Sequence, residues 1–584
     1  MFEAFDAPQG QGQVMAELLA HVRKCKDLAR VIKARVEPPW PTLPTTDLPP
    51  RDLANQLIDR FLKTTEAVHR VVHIPTLRRE CDTAWSSNTE PDMSLIVTLK
   101  LIMAIGAASY DRDFSLKEQA LRWIHEAMAW LSRPEFKSRL GVKYIQTSML
   151  LIKARAIVGV GWSMVWVSMG ELLRSAVFAG LHRDPSRLPR QNFFASELRR
   201  RLWNTLIEMD LQSSLDTGAL PILSMYHFDT QPPGNYDDDQ LEEENPTPKP
   251  EDTFTDMSIS RALRRTYPVR LAIAKFLNEI GSAGTYKDTL QLDAQLRAAY
   301  KPIGKSLQKW KPSEFQATFV DCIMRRSLLA LHIPFLAPSL TETAYAYTRR
   351  VAVDNSLILW RALFTPSDEY LARMPQRVST TRTTMTDFSL LMAFRSGSFR
   401  GVAIQTANIL LAELRAQVQE NDTLGTGMTG SSDWRVMLEE VKDWSLGCIK
   451  AGETNIKGYL LVCMIGAQIE ALRRGAELDE TNAAIVQGVV DAKDECVPIL
   501  EERAAQARKG DQADADALKA QQSHQPMDDW DLAVSLHPPG KKHLLMILGP
   551  EQRVRPRHYE PRQLGVRRQH DRCDWSLIWP WETP

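Results

Sequence analysis

Closely spaced cysteines are missing from this sequence. None of its seven cysteines forms the C-x-x-C pair that brings two thiolates to one metal ion, so no metal ligand is assigned to any residue. The start of the chain shows no secretory signal, and reduced, isolated thiols are therefore expected. The cysteines are Cys25, Cys81, Cys322, Cys448, Cys463, Cys496 and Cys573.

An excess of charge of one sign is also lacking. Lys and Arg total 72, and Asp and Glu also total 72, so the chain as a whole has no field that attracts a polyanion. A DNA-binding domain normally shows a basic patch, and the neutral balance argues against one acting alone. Long hydrophobic runs are absent too: Tyr459–Ile465 is far shorter than the roughly 20 residues of a membrane span, and no membrane partner is expected.

Helical periodicity is what the sequence does have. Apolar residues recur at helix spacing from Asp52 to Ala507, without a strand alternation of comparable strength. The pattern predicts an all-α, multi-helix protein. The predicted parts are a linker with a short helix at 1–50, a helical domain at 51–365, a helical extension at 366–507 and a polar, disordered tail at 508–584.

The clearest predicted helix runs from Trp162 to Ala179, and Gly180 is expected to end it in a left-handed conformation. Ser196 is a candidate N-cap for the following helix. That helix contains three consecutive arginines, Arg199–Arg201, and then Leu202 and Trp203, which we expect to be buried.

The three arginines admit two interpretations. They resemble a phosphate-binding run, but consecutive helical residues project about 100° apart, so all three cannot face one groove. At least one must flank the apolar stripe, where it can satisfy a helix end or an acid such as Asp184. A structural ion-pair role is therefore favoured over DNA contact, and His182, beside Arg183 and Asp184, is expected in a hydrogen-bond cluster at the helix end.

Three other patterns carry weaker signals. Asp238, Asp239 and Glu242 resemble the aspartate-rich magnesium motif of all-helical terpene synthases, but the surrounding prolines favour a solvated surface loop. His69 and His73 are four apart on a predicted helix without a third ligand, which favours packing over metal binding. The run from Gly159 to Gly161 lacks the third glycine and the strand of a dinucleotide site, which indicates a turn between helices.

Several segments, in order, resemble the fungal-specific transcription factor domain, the middle homology region of fungal zinc-cluster regulators. Its core signature is His182-Arg183-Asp184-Pro185 together with Arg199-Arg200-Arg201-Leu202-Trp203. The accompanying segments are Cys25–Lys33, Leu48–Ala54, Val72–Leu77, Phe228–Asn235 and Leu331–Phe335.

This resemblance implies an all-helical regulatory module of a nuclear transcription regulator, controlling for example a secondary-metabolite gene cluster. Relatives contact DNA through an N-terminal zinc cluster, which this sequence does not contain. DNA reading is thus expected from an upstream zinc cluster in a longer gene product or from a partner transcription factor. A homodimer and a small-molecule effector are further partners that the family suggests. The alternative is a small-molecule-binding or scaffold protein of the same fold without DNA-binding activity. No catalytic residue, cofactor site or metal site is expected.

Overall fold

The computed structural model describes twelve stretches of the chain, and the account below concerns these residues alone. They are residues 23–32, 43–86, 92–111, 114–133, 141–161, 164–189, 191–244, 246–279, 284–364, 386–393, 398–424 and 433–522.

Every regular element in these stretches is helical, which confirms the all-α prediction. The α-helices are α1 (23–32), α2 (Arg51–Lys63), α3 (Thr65–Val68), α4 (Ile74–Ser86), α5 (Met93–Ala107), α6 (Lys117–Leu131), α7 (Val142–Val158), α8 (Val165–Phe178), α9 (Phe193–Thr217), α10 (Ser258–Asn278), α11 (Tyr286–Trp310), α12 (Glu314–His332), α13 (Leu336–Ser339), α14 (Ala346–Leu363), α15 (Asp387–Ala393), α16 (Ser398–Leu424), α17 (Asp433–Lys450), α18 (Lys457–Arg473) and α19 (Leu478–Gln522). Short 3-10 turns lie at Pro185–Arg187, Asp239–Glu242, Ile333–Phe335 and Thr343–Tyr345.

Helix α5 lies at the centre of the first half of the fold, in contact with α2, α6 and α7. Apart from Ser94, Thr98 and Lys100 it is apolar on all sides, as expected of a helix surrounded by others. Gly106 permits the close approach of α2, since an added Cβ there would lie 1.9 Å from the Leu57 carbonyl oxygen. The buried Lys100 ammonium donates to Glu126 on α6 at 2.5 Å and to the Thr45 carbonyl at 2.7 Å, which satisfies its charge.

Helix α9 connects this first half to α10, which in turn packs on α11 and α12. Its N-cap is Asn192, whose side chain accepts from the Ala195 amide at 2.7 Å. The prediction of Ser196 as N-cap is therefore wrong: the helix begins one turn earlier, because an Asn satisfies its free amides there. The helix ends at Gly218, which has a positive φ of 65°.

The turn between α7 and α8 is as predicted. Gly159 and Gly161 both have positive φ; α7 ends just before Gly159, and α8 begins after Gly161. Gly180 likewise adopts φ 74° after α8, which confirms the left-handed stop.

The C-terminal helices carry a second, smaller core around Ile449, Tyr459 and Leu500, to which Cys25 of α1 contributes. Helix α19 continues past residue 508 to Gln522. Residues Leu18–Arg508 form one compact unit.

Two predictions fall largely outside the described residues: the linker at 1–50, of which only residues 23–32 and 43–50 are described, and the tail beyond residue 522. Within the described helices, none has the length and hydropathy that a membrane crossing requires.

Candidate functional site

The signature segments meet where α8 ends against α9. Gly180 turns the chain away from α8, and this leaves the last carbonyl groups of that helix without intrahelical donors. The Arg199 guanidinium of α9 donates to the Ala179 carbonyl at 2.7 Å. One arginine of the run therefore caps the preceding helix, as the sequence suggested.

Arg200 pairs with Asp184. Its Nε lies 3.0 Å from Oδ2 and its Nη2 lies 2.9 Å from Oδ1, a bidentate arrangement. The same guanidinium donates to Glu197 at 2.7 Å. Burial raises the pKa of Asp184, but the hydrogen bonds from Arg200, the Gln231 amide and Ser186 outweigh it, and the pKa falls well below its ordinary value.

Asp184 also organises the loop around it. Its carboxylate accepts from the backbone amides of Ser186 and Gln231, both at 3.0 Å, so it starts the 3-10 turn that contains Pro185 and anchors the returning loop. The Asp229 carboxylate accepts from the Asp184 amide at 2.7 Å and lies 3.4 Å from the exposed Arg183. The two aspartates thus fasten the segments Ala179–Ser186 and Phe228–Asn235 to each other.

Arg201 points into the interior and binds Asp238 at 2.5 Å. A second buried arginine, Arg70, reaches the same Asp238 oxygen at 2.5 Å. The other Asp238 oxygen accepts from the Ile74 amide at 2.9 Å. Burial raises the pKa of Asp238, but the two arginines lower it by more than burial raises it, so the pKa lies below its ordinary value.

Our prediction of a solvated loop is therefore wrong for Asp238, which is 3% exposed. The surrounding prolines suggested a surface loop, but the loop folds inward because its acid neutralises two buried cations. Asp239 and Glu242 are exposed, and Glu242 binds Arg79 on α4 at 2.6 Å. These three acids do not face a common cavity.

His69 and His73 do not share a helix, contrary to the prediction. His69 follows the short helix α3, and His73 precedes α4, so the chain changes direction between them. Both are buried: His69 packs edge-on against Phe319, and His73 contacts the Asp238 carbonyl through Nε2 at 2.9 Å. The packing role is therefore the one the structure describes.

Leu202 and Trp203 are buried, as predicted; Trp203 is 1% exposed. The Trp203 ring packs edge-on against Phe228, with centroids 5.6 Å apart, and lies near the His182 ring. The His182 carbonyl accepts from the Asp229 amide at 3.0 Å. The buried Leu202 and Trp203 thus lie on the interior side of the polar cluster formed by Asp184, Arg200 and Asp229.

A second charged pair fixes α9 on α10. Glu208 and Arg270 are both buried and form two hydrogen bonds of 2.7 Å each. Sequence reasoning did not identify this pair, nor Arg70, Glu197 or Asp229. Asp229 offered a signal, because it lies within the recognised segment Phe228–Asn235.

A zinc cluster does not fit the cysteines of the described residues. No group of three or more His, Cys, Asp or Glu side chains in that part of the chain could hold a metal ion. Burial raises the pKa of the Cys322 thiol to about 12 and that of Cys448 to about 11. Metal binding requires the thiolate, which these surroundings disfavour.

Comparison with known proteins agrees with this arrangement. A family model described as the fungal specific transcription factor domain matches residues 58–311. Transcription factor lepE of Aspergillus flavus is 30% identical over 518 residues, which cover 84% of this chain and 60% of lepE. Residues 58–311 of this chain are therefore a fungal specific transcription factor domain.

Two further relatives show the range of similarity. Transcription factor opdR of Penicillium oxalicum is 28% identical over 545 residues, which cover 86% of this chain and 66% of opdR. The aspyridones cluster regulator apdR of Emericella nidulans is 32% identical over 294 residues, 47% of this chain and 39% of apdR. The chain spans about 60% of the length of the curated relatives that it matches over most of its own length. No solved structure matches it significantly.

Proposed function

We propose that the chain is the helical regulatory module of a fungal transcription regulator that controls a metabolic gene cluster and acts in the nucleus. The observation that carries this proposal is the match along 84% of the chain to a protein named as a transcription factor. Two relatives are named for the clusters they regulate, those of the aspyridones and of pyrrolocin, which supports a cluster-specific role.

The geometry of the signature favours a module that transmits regulation and leaves base reading to another part. Arg199, Arg200 and Arg201 donate to a helix end, to Asp184 and to Asp238 respectively. Arg200 and Arg201 are paired with carboxylates, and the Arg199 guanidinium is engaged by a helix end, so this run does not form a free basic surface for phosphates. DNA reading is therefore assigned to a zinc cluster outside this sequence or to a partner transcription factor.

The residues of the signature have a structural role in this proposal, and no enzymatic activity is assigned to them. His182 to Pro185 and Arg199 to Trp203 hold α8, α9 and the loop after α9 in one arrangement. We call these two segments and the contacts between them the latch. A change in one of the elements they connect can reach the next only as a discrete rearrangement, since packed cores are bistable. The division into a helical domain at 51–365 and an extension at 366–507 stays a prediction.

A tethering experiment tests the proposal. The chain is fused to an unrelated DNA-binding domain, and a reporter gene carrying that domain's site is measured in a fungal host. We expect reporter output to change, in either direction, relative to the DNA-binding domain alone. Asp239→Asn, at an exposed acid, should behave as the wild type. An unchanged reporter, with the fusion present in the nucleus at equal abundance, would favour the scaffold or ligand-binding alternative and contradict the proposal.

A further inference from the structure

One face of α8 is exposed and largely apolar. Met164, Val167 and Phe178 all lie on it, and Phe178 is 72% exposed. Glu171 and Arg174 occupy the two positions between them, so the stripe follows the spacing 164, 167, 171, 174, 178. Steps of three and four residues place all five on one side of a helix.

The loop that follows α9 extends this surface. Leu220, Met225 and Tyr226 are exposed there, and Tyr226 is 96% exposed. An added Cβ at Gly170 would lie 3.3 Å from Ile222 Cδ1, so the loop packs directly beside α8. We call this surface the α8 patch; it comprises Met164, Val167, Glu171, Arg174, Val177, Phe178, Leu220, Met225 and Tyr226.

Exposed apolar side chains are concentrated in the α8 patch. Of the twelve large apolar side chains that are strongly exposed in the described residues, seven belong to it. Scattered exposed apolar residues are normal, but a contiguous group marks an interaction site.

The stripe carries two charges, Glu171 and Arg174. Glu171 and Arg174 form no ion pair or hydrogen bond among the described residues. They lie three apart on the same face, with opposite signs and with apolar residues on both sides. When two copies of such a face meet with their helices antiparallel, the acid of each copy can lie opposite the base of the other.

We propose that the α8 patch is the contact surface between two copies of this chain, with the two α8 helices antiparallel about a twofold axis. A register that sets Glu171 opposite the partner's Arg174 also sets Val167 opposite the partner's Phe178, since the residue numbers of both pairs have the same sum. The twofold axis repeats each contact, which gives two ion pairs flanked by two apolar contacts.

A stable interface buries about 800 Å² on each partner. The exposed Leu220, Met225 and Tyr226 of the loop bring apolar side chains to the contact in addition to those on the face of α8. The inference does not depend on the proposed function, because oligomeric state is measured without DNA or transcription.

Sedimentation velocity of the purified full chain tests the surface. The wild type should dimerise, and E171R and R174E should each raise the dimer dissociation constant by about 10- to 100-fold, since each sets like charges opposite each other. An equimolar mixture of E171R and R174E should form a heterodimer, because their charges are then complementary. The double variant E171R/R174E should recover the wild-type dimer for the same reason.

L478D serves as the matched control, because Leu478 is also strongly exposed but lies at the start of α19. It should dimerise as the wild type does, and circular dichroism should show every variant folded. A monomeric wild type, a mixture that stays monomeric although both variants are folded, or a control that dissociates equally would each overturn the proposal. If E171R alone and R174E alone both leave the dimer intact, the interface lies elsewhere, and the proposal is likewise wrong.

Discussion

Asp184 and Arg200 are joined by two nearly parallel hydrogen bonds of 3.0 and 2.9 Å, although sixteen residues separate them in the chain. The pair connects the turn after α8 to the second turn of α9. Because Asp184 also holds the Gln231 amide, one carboxylate fixes three segments. Its loss is expected to loosen all three together.

Replacing Arg200 with alanine leaves the buried Asp184 without its main cation. We expect a loss of about 2–4 kcal/mol in the free energy of unfolding, measured by chemical denaturation. Arg200→Lys should recover little of it, since an ammonium cannot make the bidentate contact. Arg187→Ala is the control: Arg187 is exposed and pairs with Asp229, so its loss should change stability by less than about 0.5 kcal/mol. Equal stability of Arg200→Ala and Arg187→Ala would refute the latch.

Asp238→Asn should destabilise the fold by about 3–5 kcal/mol, because it leaves Arg70 and Arg201 buried without a counter-charge. The neighbouring Asp239→Asn alters an exposed acid and should be neutral. The same denaturation measurement compares the two. A solvated loop, in contrast, would make both substitutions equally mild.

Trp203→Ala should cost about 3–5 kcal/mol, the usual range for a buried aromatic side chain. Trp203→Phe should cost clearly less, because the ring contact with Phe228 is partly kept and the indole Nε1 has no hydrogen-bond partner. Thermal unfolding of the two variants measures the difference. An unchanged midpoint for Trp203→Ala would mean that the helix is phased differently.

Asp210 gives the fold a pH dependence of its own. It is 0% exposed, and burial raises its pKa to about 6, against the hydrogen bond from the Leu223 amide. Between about pH 4 and 6 the folded chain therefore binds this proton more strongly than the unfolded chain does, and stability falls as pH rises. Asp210→Asn should gain about 2–3 kcal/mol relative to the wild type between pH 4 and pH 7. The free energy of unfolding of both proteins is measured by chemical denaturation across this pH range. A constant difference between the two proteins at every pH would contradict this prediction.

Local features of the fold were accessible from the sequence. The stop at Gly180 and the turn from Gly159 to Gly161 depend on residues close in the chain. Helix geometry also indicated that at least one arginine of the run satisfies a helix end or an acid such as Asp184, because three consecutive residues fan around the axis. It did not indicate which arginine takes which partner.

The buried contacts of the site, in contrast, could not be predicted from the sequence. Asp238 and Arg70 are 168 residues apart, and nothing local distinguishes a buried acid among prolines from a solvated one. The change of direction between His69 and His73 likewise results from tertiary packing, which overrides a short helical pattern. Burial of charge is decided by distant partners, and one sequence does not identify them.

Binding of DNA by the purified chain tests the central claim most directly, that its arginine run is a structural latch and that base reading lies elsewhere. Fluorescence anisotropy at near-physiological salt should show weak binding that ignores sequence and fades steeply as salt rises. The balance of 72 basic and 72 acidic residues supplies no overall attraction. Tight, zinc-dependent binding of this polypeptide alone to one defined site would contradict the account.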